Sequence, residues 1–259
     1  MIKKHVFYIL LLTAALSLSA CGNKDTDQKG DELVDDAGTL GDDVANDVED
    51  VTKDIMTGFR DLLSSATNSE DIYKYIDDNS TGREPEEVDE MVMGVLGYGD
   101  DINNVDFKRL SAHTAYMSDE MNAFVTFMAE EQENPAVNSE GMQAELKDCL
   151  EKCYQMEQHM DLYPEGNTYQ YVFDKYCEYM KAAITGGYTD KVEEYAAFVE
   201  EHPDSKTAAI VSDYLKVLLD NNSEVNEAVQ DYYDKIQEKF TFYLLENNTV
   251  SEDAGNVAQ

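Results

Sequence analysis

Apolar positions along this chain recur mainly three and four residues apart, the period of a helix buried along one face. Val44, Val48, Val51, Ile55, Phe59 and Leu62 form one such stripe, with Asp and Glu around it, and predict an amphipathic helix over residues 40–65. Three uses compete for that stripe: lying on a membrane, pairing as a coiled coil, or packing on the rest of the chain. A membrane-surface helix carries a basic polar face, where this one is acidic. A coiled coil needs three to four heptads, more than the stripe supplies.

Residues 66–247 carry the same period and predict a body that is helical throughout. Asn68-Ser69-Glu70 caps a short helix with Ile72, Tyr73 and Ile76, and Pro85 opens the next, with Val88, Met91, Val92, Val95 and Leu96 inward. Asp106 is expected to start one long helix through Phe107, Leu110, Tyr116, Met121, Phe124, Phe127 and Met128, which Asn134-Pro135 stops after Glu133. The 134–141 loop is the expected internal seam, and Ser139 is expected to cap a helix reaching Met160. Beyond the Pro164-Glu165-Gly166 turn, a helix from Asn167 to Thr185 is apolar on nearly every side and should be the buried centre. Gly186-Gly187, His202-Pro203-Asp204 and Asn221-Asn222-Ser223 then divide three more helices. The last of these carries Val225, Val229, Tyr232, Ile236, Phe240, Tyr243 and Leu244. The fold class predicted is all-α, an antiparallel helical bundle, with a disordered tail at 248–259.

Composition agrees with helices, since only 4 of the 259 residues are Pro. Charge narrows the partners. With 19 Lys+Arg against 55 Asp+Glu the formal net charge is −36, and no cluster of basic residues exists to displace counterions from nucleic acid or to hold anionic headgroups. Nucleic acid is therefore excluded as a partner, and the charge itself reads first as a device for solubility.

The first 20 residues stand apart. Lys3 and Lys4 precede an apolar run from Val6 to Ala15, followed by small residues, the layout of a secretory signal peptide. The run is too short to span a bilayer, which takes about 20 residues. Leu18-Ser19-Ala20-Cys21 resembles the lipobox of bacterial lipoproteins. That resemblance implies cleavage before Cys21 by signal peptidase II, diacylglycerylation of the Cys21 thiol, and a protein anchored by lipid at the extracytoplasmic face of a bacterial membrane. Residues 21–39, rich in Asp and Glu, read as a disordered tether behind the lipid. Within it, Asp25-x-Asp27-x-Lys29-Gly30 echoes a calcium loop, but Lys29 stands at a ligand position and Asp36 at the place of the bidentate Glu, so calcium is not expected.

Three cysteines offer distinctive chemistry. Cys149, Cys153, Met156 and Met160 share one helix face, while His159 lies about 80° or more around the helix from that stripe. Cys153 and Cys177 are each 12 residues from Glu165, so an antiparallel hairpin brings them level. Three readings follow: buried small apolar side chains, a Cys153–Cys177 disulfide suited to an exported protein, or a soft-metal site from Cys149, Cys153, Cys177 and Met156.

Gly187-Tyr188, Tyr195, Phe198 and His202-Pro203-Asp204-Ser205 resemble the second helix and proline break of a tetratricopeptide repeat, which implies a peptide- or protein-binding groove. No second copy follows at the 34-residue period. Catalytic motifs are not found, and His113, His159 and His202 have no evident relation in sequence to a serine, a cysteine or a metal-ligand pair. The leading expectation is a non-enzymatic helical binding or scaffold module, without cofactor, held at a membrane through Cys21 and engaging a protein or peptide. The alternative is a soft-metal or thiol redox protein.

Overall fold

The computed structural model describes residues 55–99 and 102–246. The signal peptide, Cys21, the tether, the calcium-like loop, the first part of the amphipathic helix and the tail all lie outside the described residues. What is described is all-α. Helices α1 (55–65), α2 (Ser69–Asn79), α3 (Pro85–Tyr98) and α4 (Phe107–Leu110) lead to α5 (Asp119–Glu133). Helices α6 (Leu146–Leu162), α7 (Tyr169–Thr185), α8 (Val192–Glu201), α9 (Lys206–Asp220), α10 (Glu227–Asp234) and α11 (Ile236–Thr241) follow. Among the described residues no helix is long and apolar enough to cross a membrane.

Helix α1 uses its stripe to pack on the body. Met56 and Phe59 are buried in the common core, Tyr75 of α2 donates to the Ile55 carbonyl, and Arg60 makes a two-pronged ion pair with Glu90 of α3. Gly94 of α3 allows this close approach, because a Cβ there would stand 2.8 Å from the Phe59 ring and the Leu63 methyl.

The long helix expected from Asp106 to Glu133 is broken. Asp106 caps α4, a 3₁₀ segment covers Ser111–Tyr116, and Ser118 caps α5 by accepting from the Met121 amide. Asp89 of α3 takes the Ser118 amide at 3.1 Å, so a carboxylate 29 residues away fixes where the new helix starts. The 134–141 segment is a further departure. It is no seam but part of a small β-hairpin, β1 (Val137–Asn138) with β2 (Gly141–Met142), pairing Val137 with Met142. Ala136 and Val137 are buried against the core, and Glu131 accepts from the Ala136 amide. Ser139 therefore caps nothing: it sits in the hairpin turn, Gly141 has φ +106°, and α6 begins only at Leu146.

Helices α6 and α7 form the expected antiparallel hairpin across Pro164–Gly166, and α7 buries Val172, Phe173, Tyr176, Tyr179, Met180, Ala183 and Ile184. It is not apolar all round, since Gln170, Asp174, Glu178 and Lys181 form an exposed stripe. After α9, Asn222 and Ser223 adopt left-handed φ of 55° and 57° while the Ser223 amide returns to the Leu218 carbonyl, a Schellman-type ending. The last expected helix is split into α10, α11 and a π-turn at Phe242–Glu246. Its apolar spacing explains the break: Tyr232, Ile236, Phe240 and Leu244 recur every four residues, which overshoots an α-turn by about 40° each time. The irregular Lys235 and the wider π-turn restore the phase and keep all four buried. Val225, counted with the last helix in the sequence, precedes the Asn226 cap of α10 and is 53% exposed.

Candidate functional site

A half-buried acid, Glu120, organises the junction of α5, α6 and α7. Thr168, the residue before α7, does not cap it with its own side chain. Instead Glu120 of α5 accepts from both the Thr168 amide and its hydroxyl at 2.7 Å. Gly166 leaves room for this contact, because a Cβ there would push on the Glu120 carboxyl. The Thr168 hydroxyl donates to Glu120 and so accepts a hydrogen bond from His159 Nε2–H, 2.8 Å away, which sets the His159 tautomer. Burial pushes the His159 pKa below its ordinary 6.5, against the opposing pull of Glu120, so the ring is neutral at pH 7.

Beside His159 a groove of about 440 Å³ runs between α5 and α6. Ala123, Thr126, Phe127 and Glu130 line it from α5, and Gln155, Gln158, His159 and Leu162 from α6. Both rows repeat at i, i+3, i+4 and i+7, so each wall is one ridge of a helix, with the channel between them. Phe124, Met156 and Val172 form a buried floor, and Leu162 on the rim is 68% exposed. Glu130 is the acid in the lining. The size and the apolar floor suit side chains projecting from a partner rather than a charged small molecule.

The cysteines do not form the site expected of them. All three are free thiols, so the Cys153–Cys177 bridge is not present in this structure. The hairpin register comes close to the expected one. Cys149 Sγ lies 3.8 Å from the Tyr179 carbonyl, and His159 meets Thr168, which sets Cys153 level with a residue about two short of Cys177. Facing is what fails: Cys177 turns to α11, where Gln237 Nε2 donates to its sulfur at 3.5 Å, while Cys149 and Cys153 are buried together. Of the soft-metal set Cys149, Cys153, Cys177 and Met156, the three thiols do not converge within 4.8 Å of one another as a group, although Cys149 and Cys153 are neighbours. Burial, and then the neighbouring Cys149, hold the Cys153 thiol protonated, and burial pushes Cys177 up to about 11.

His113 has a relation to serine after all. Its Nδ1 lies 2.7 Å from Ser80 Oγ and its Nε2 2.9 Å from Asp77 Oδ1. The line Ser80–His113–Asp77 has the residue types of an acyl-transfer triad. Ser80 is fully buried, however, and Asp77 is also held by Arg109 at 2.6 Å, so the arrangement ties α2 to the segment after α4 and presents no nucleophile. Nothing in sequence joins these positions, which are 33 and 36 residues apart.

Segment 187–205, which resembles half a tetratricopeptide repeat, does form α8, the Pro203 break and the start of α9. Compared with protein-family models, with curated proteins and with solved structures, the chain finds no match.

Proposed function

We propose that this chain is a bacterial lipoprotein whose helical body is a non-enzymatic binding module. Lipid on Cys21 anchors it at the extracytoplasmic face of the membrane, the acidic segment at 21–39 spaces it from the surface, and the groove between α5 and α6 takes an amphipathic, basic helix of a protein partner. The observation that carries the binding reading is the groove itself. Two ridges at i, i+3, i+4 and i+7 are the complement of a third helix, and exposed Leu162 offers apolar contact to it. The net charge of −36 selects a basic partner and speeds its approach.

A test uses a Leu/Lys amphipathic peptide of about 14 residues, long enough for the two turns the ridges span. Fluorescence anisotropy should show binding that Leu162→Ser and Phe127→Ala each weaken about tenfold, although neither changes the charge. Binding that survives both variants would mean that charge alone attracts the peptide, and the groove reading would fall. The anchor is tested separately: Cys21→Ser should leave the precursor uncut and without lipid, and a wild-type mature N-terminus elsewhere would end that part of the proposal.

A further inference from the structure

Where α6 meets the end of α8, one imidazole nitrogen and two carboxylates converge. Glu151 projects from α6, and Glu201 and His202 come from the end of α8. Their donor atoms all lie within 4.8 Å of one another. The histidine is held firmly for this. Its amide bonds to the Phe198 carbonyl at 3.0 Å, and its ring packs against Tyr154 and Phe198 with centroids 4.1 and 4.8 Å away. His202 Nε2 stands 2.8 Å from Glu151 Oε1. Glu201 and His202 also line an open cleft of about 710 Å³, so solvent reaches the group.

We propose that Glu151, Glu201 and His202 bind a divalent cation of the zinc class, clipping α6 to the α8–α9 turn, with water from the cleft completing the coordination. The donor set selects the metal. An imidazole nitrogen with two carboxylates suits Zn²⁺, whereas Ca²⁺ takes six to eight oxygens and Mg²⁺ keeps an oxygen octahedron. Two carboxylates balance the dication's charge, and the neutral ring supplies the third bond. Bonds of about 2.1 Å from one tetrahedral ion place its ligand atoms about 3.4 Å apart. The Glu151–His202 pair need only open slightly to reach that spacing, the ion taking the place of the proton between them. Glu201 has to move in. It is half exposed, and its 3.1 Å pair with Lys147 is a surface contact that opposes the move little. The surrounding acidity raises the local concentration of any dication without choosing among them, so the selectivity rests on His202.

The experiment is a Zn²⁺ titration of the metal-free mature protein against a chromogenic chelator, repeated with Mg²⁺ in large excess, with melting temperature as a second readout. One tight equivalent of Zn²⁺ that Mg²⁺ does not displace, and that raises the melting temperature, is the expected result. His202→Asn should abolish it and Glu201→Gln should weaken it at least tenfold, while Glu140→Gln on the β-hairpin leaves it unchanged. Glu201 is exposed, so its variant folds and decides the matter even if His202→Asn does not. Zn²⁺ affinity unaltered by Glu201→Gln, or displaced by Mg²⁺, would reduce the group to ordinary surface acidity and overturn the proposal.

Discussion

Replacing Glu157 by glutamine tests the idea that carboxylates from one helix complete the N-terminus of another. Glu157 lies on α6, is only 4% exposed, and faces the first turn of α9. One carboxylate oxygen accepts from the Lys206 amide at 2.7 Å, and the other accepts from the Thr207 amide at 2.7 Å and from the Thr207 hydroxyl at 2.5 Å. Ser205 takes the next amide, Ala208, so the open donors of the first turn of α9 are satisfied by these two residues together. Glutamine keeps one acceptor. Whichever way it sits, its NH₂ group opposes a donor, and an unsatisfied buried amide costs about 1–3 kcal/mol. Losing the negative charge at the positive end of a partly buried helix costs up to about 2 kcal/mol more. Part of this is recovered because a charge no longer has to be desolvated, which leaves a net destabilisation of about 2–4 kcal/mol. In a chain of this size that lowers the melting temperature by roughly 10 °C. Thermal and urea unfolding followed by far-UV circular dichroism measure it, with Glu165→Gln at the exposed turn as the reference. Thr207→Val combined with Glu157→Gln should show a coupling of about 1 kcal/mol or more, because both remove the same hydrogen bond. If Glu157→Gln melts with the wild type and the coupling is zero, the remote-cap argument is wrong.

The same substitution at two glycines of α3 should act with opposite signs. Gly94→Ala pushes into Phe59 and Leu63 and should cost about 1–2 kcal/mol after its gain in helix propensity, whereas Gly97→Ala meets nothing within 4 Å and should add up to about 1 kcal/mol; urea midpoints that move together would refute this. Since His159 takes up a proton less readily folded than unfolded, the unfolded chain binds the extra proton as pH falls through 6.5. Stability should therefore decline on acidification below about 6.5 and level off at the lower folded pKa, with a shallower decline in His159→Gln; a gain in stability on acidification that depends on His159 would contradict the burial argument. Alkylation mapped by peptide digest should reach Cys177 before Cys149 and Cys153, which react only on unfolding, and the Cys177 rate should keep rising toward pH 11 rather than level off near 9.

Sequence alone determined the class of structure and most element boundaries that depend on a few adjacent residues. Helical period marked α2, α3, α6, α7 and α9, with local start signals at Asn68 and Pro85 and stop signals at Asn134-Pro135, Pro164–Gly166 and Asn221–Ser223 falling where the chain turns. Each of these signals acts within about one helical turn of itself, so a sequence window contains the whole cause. What tertiary structure alone decided involves partners far apart in the chain. Ser118 starts α5 because Asp89 holds its amide, Glu120 and Glu157 complete the N-termini of α7 and α9 from other helices, and in sequence the acids responsible look like any other of the chain's 55. Periodicity placed Cys153 and Cys177 nearly level but carried no information on azimuth, which was set by the packing of Cys177 against α11. The groove was hidden for a related reason: its two ridges are each ordinary half-polar helix faces, and only the spacing between α5 and α6 leaves a channel of about 440 Å³ between them. A residue's propensity is local and is written in its neighbours; its partner across the core depends on every turn the chain makes in between.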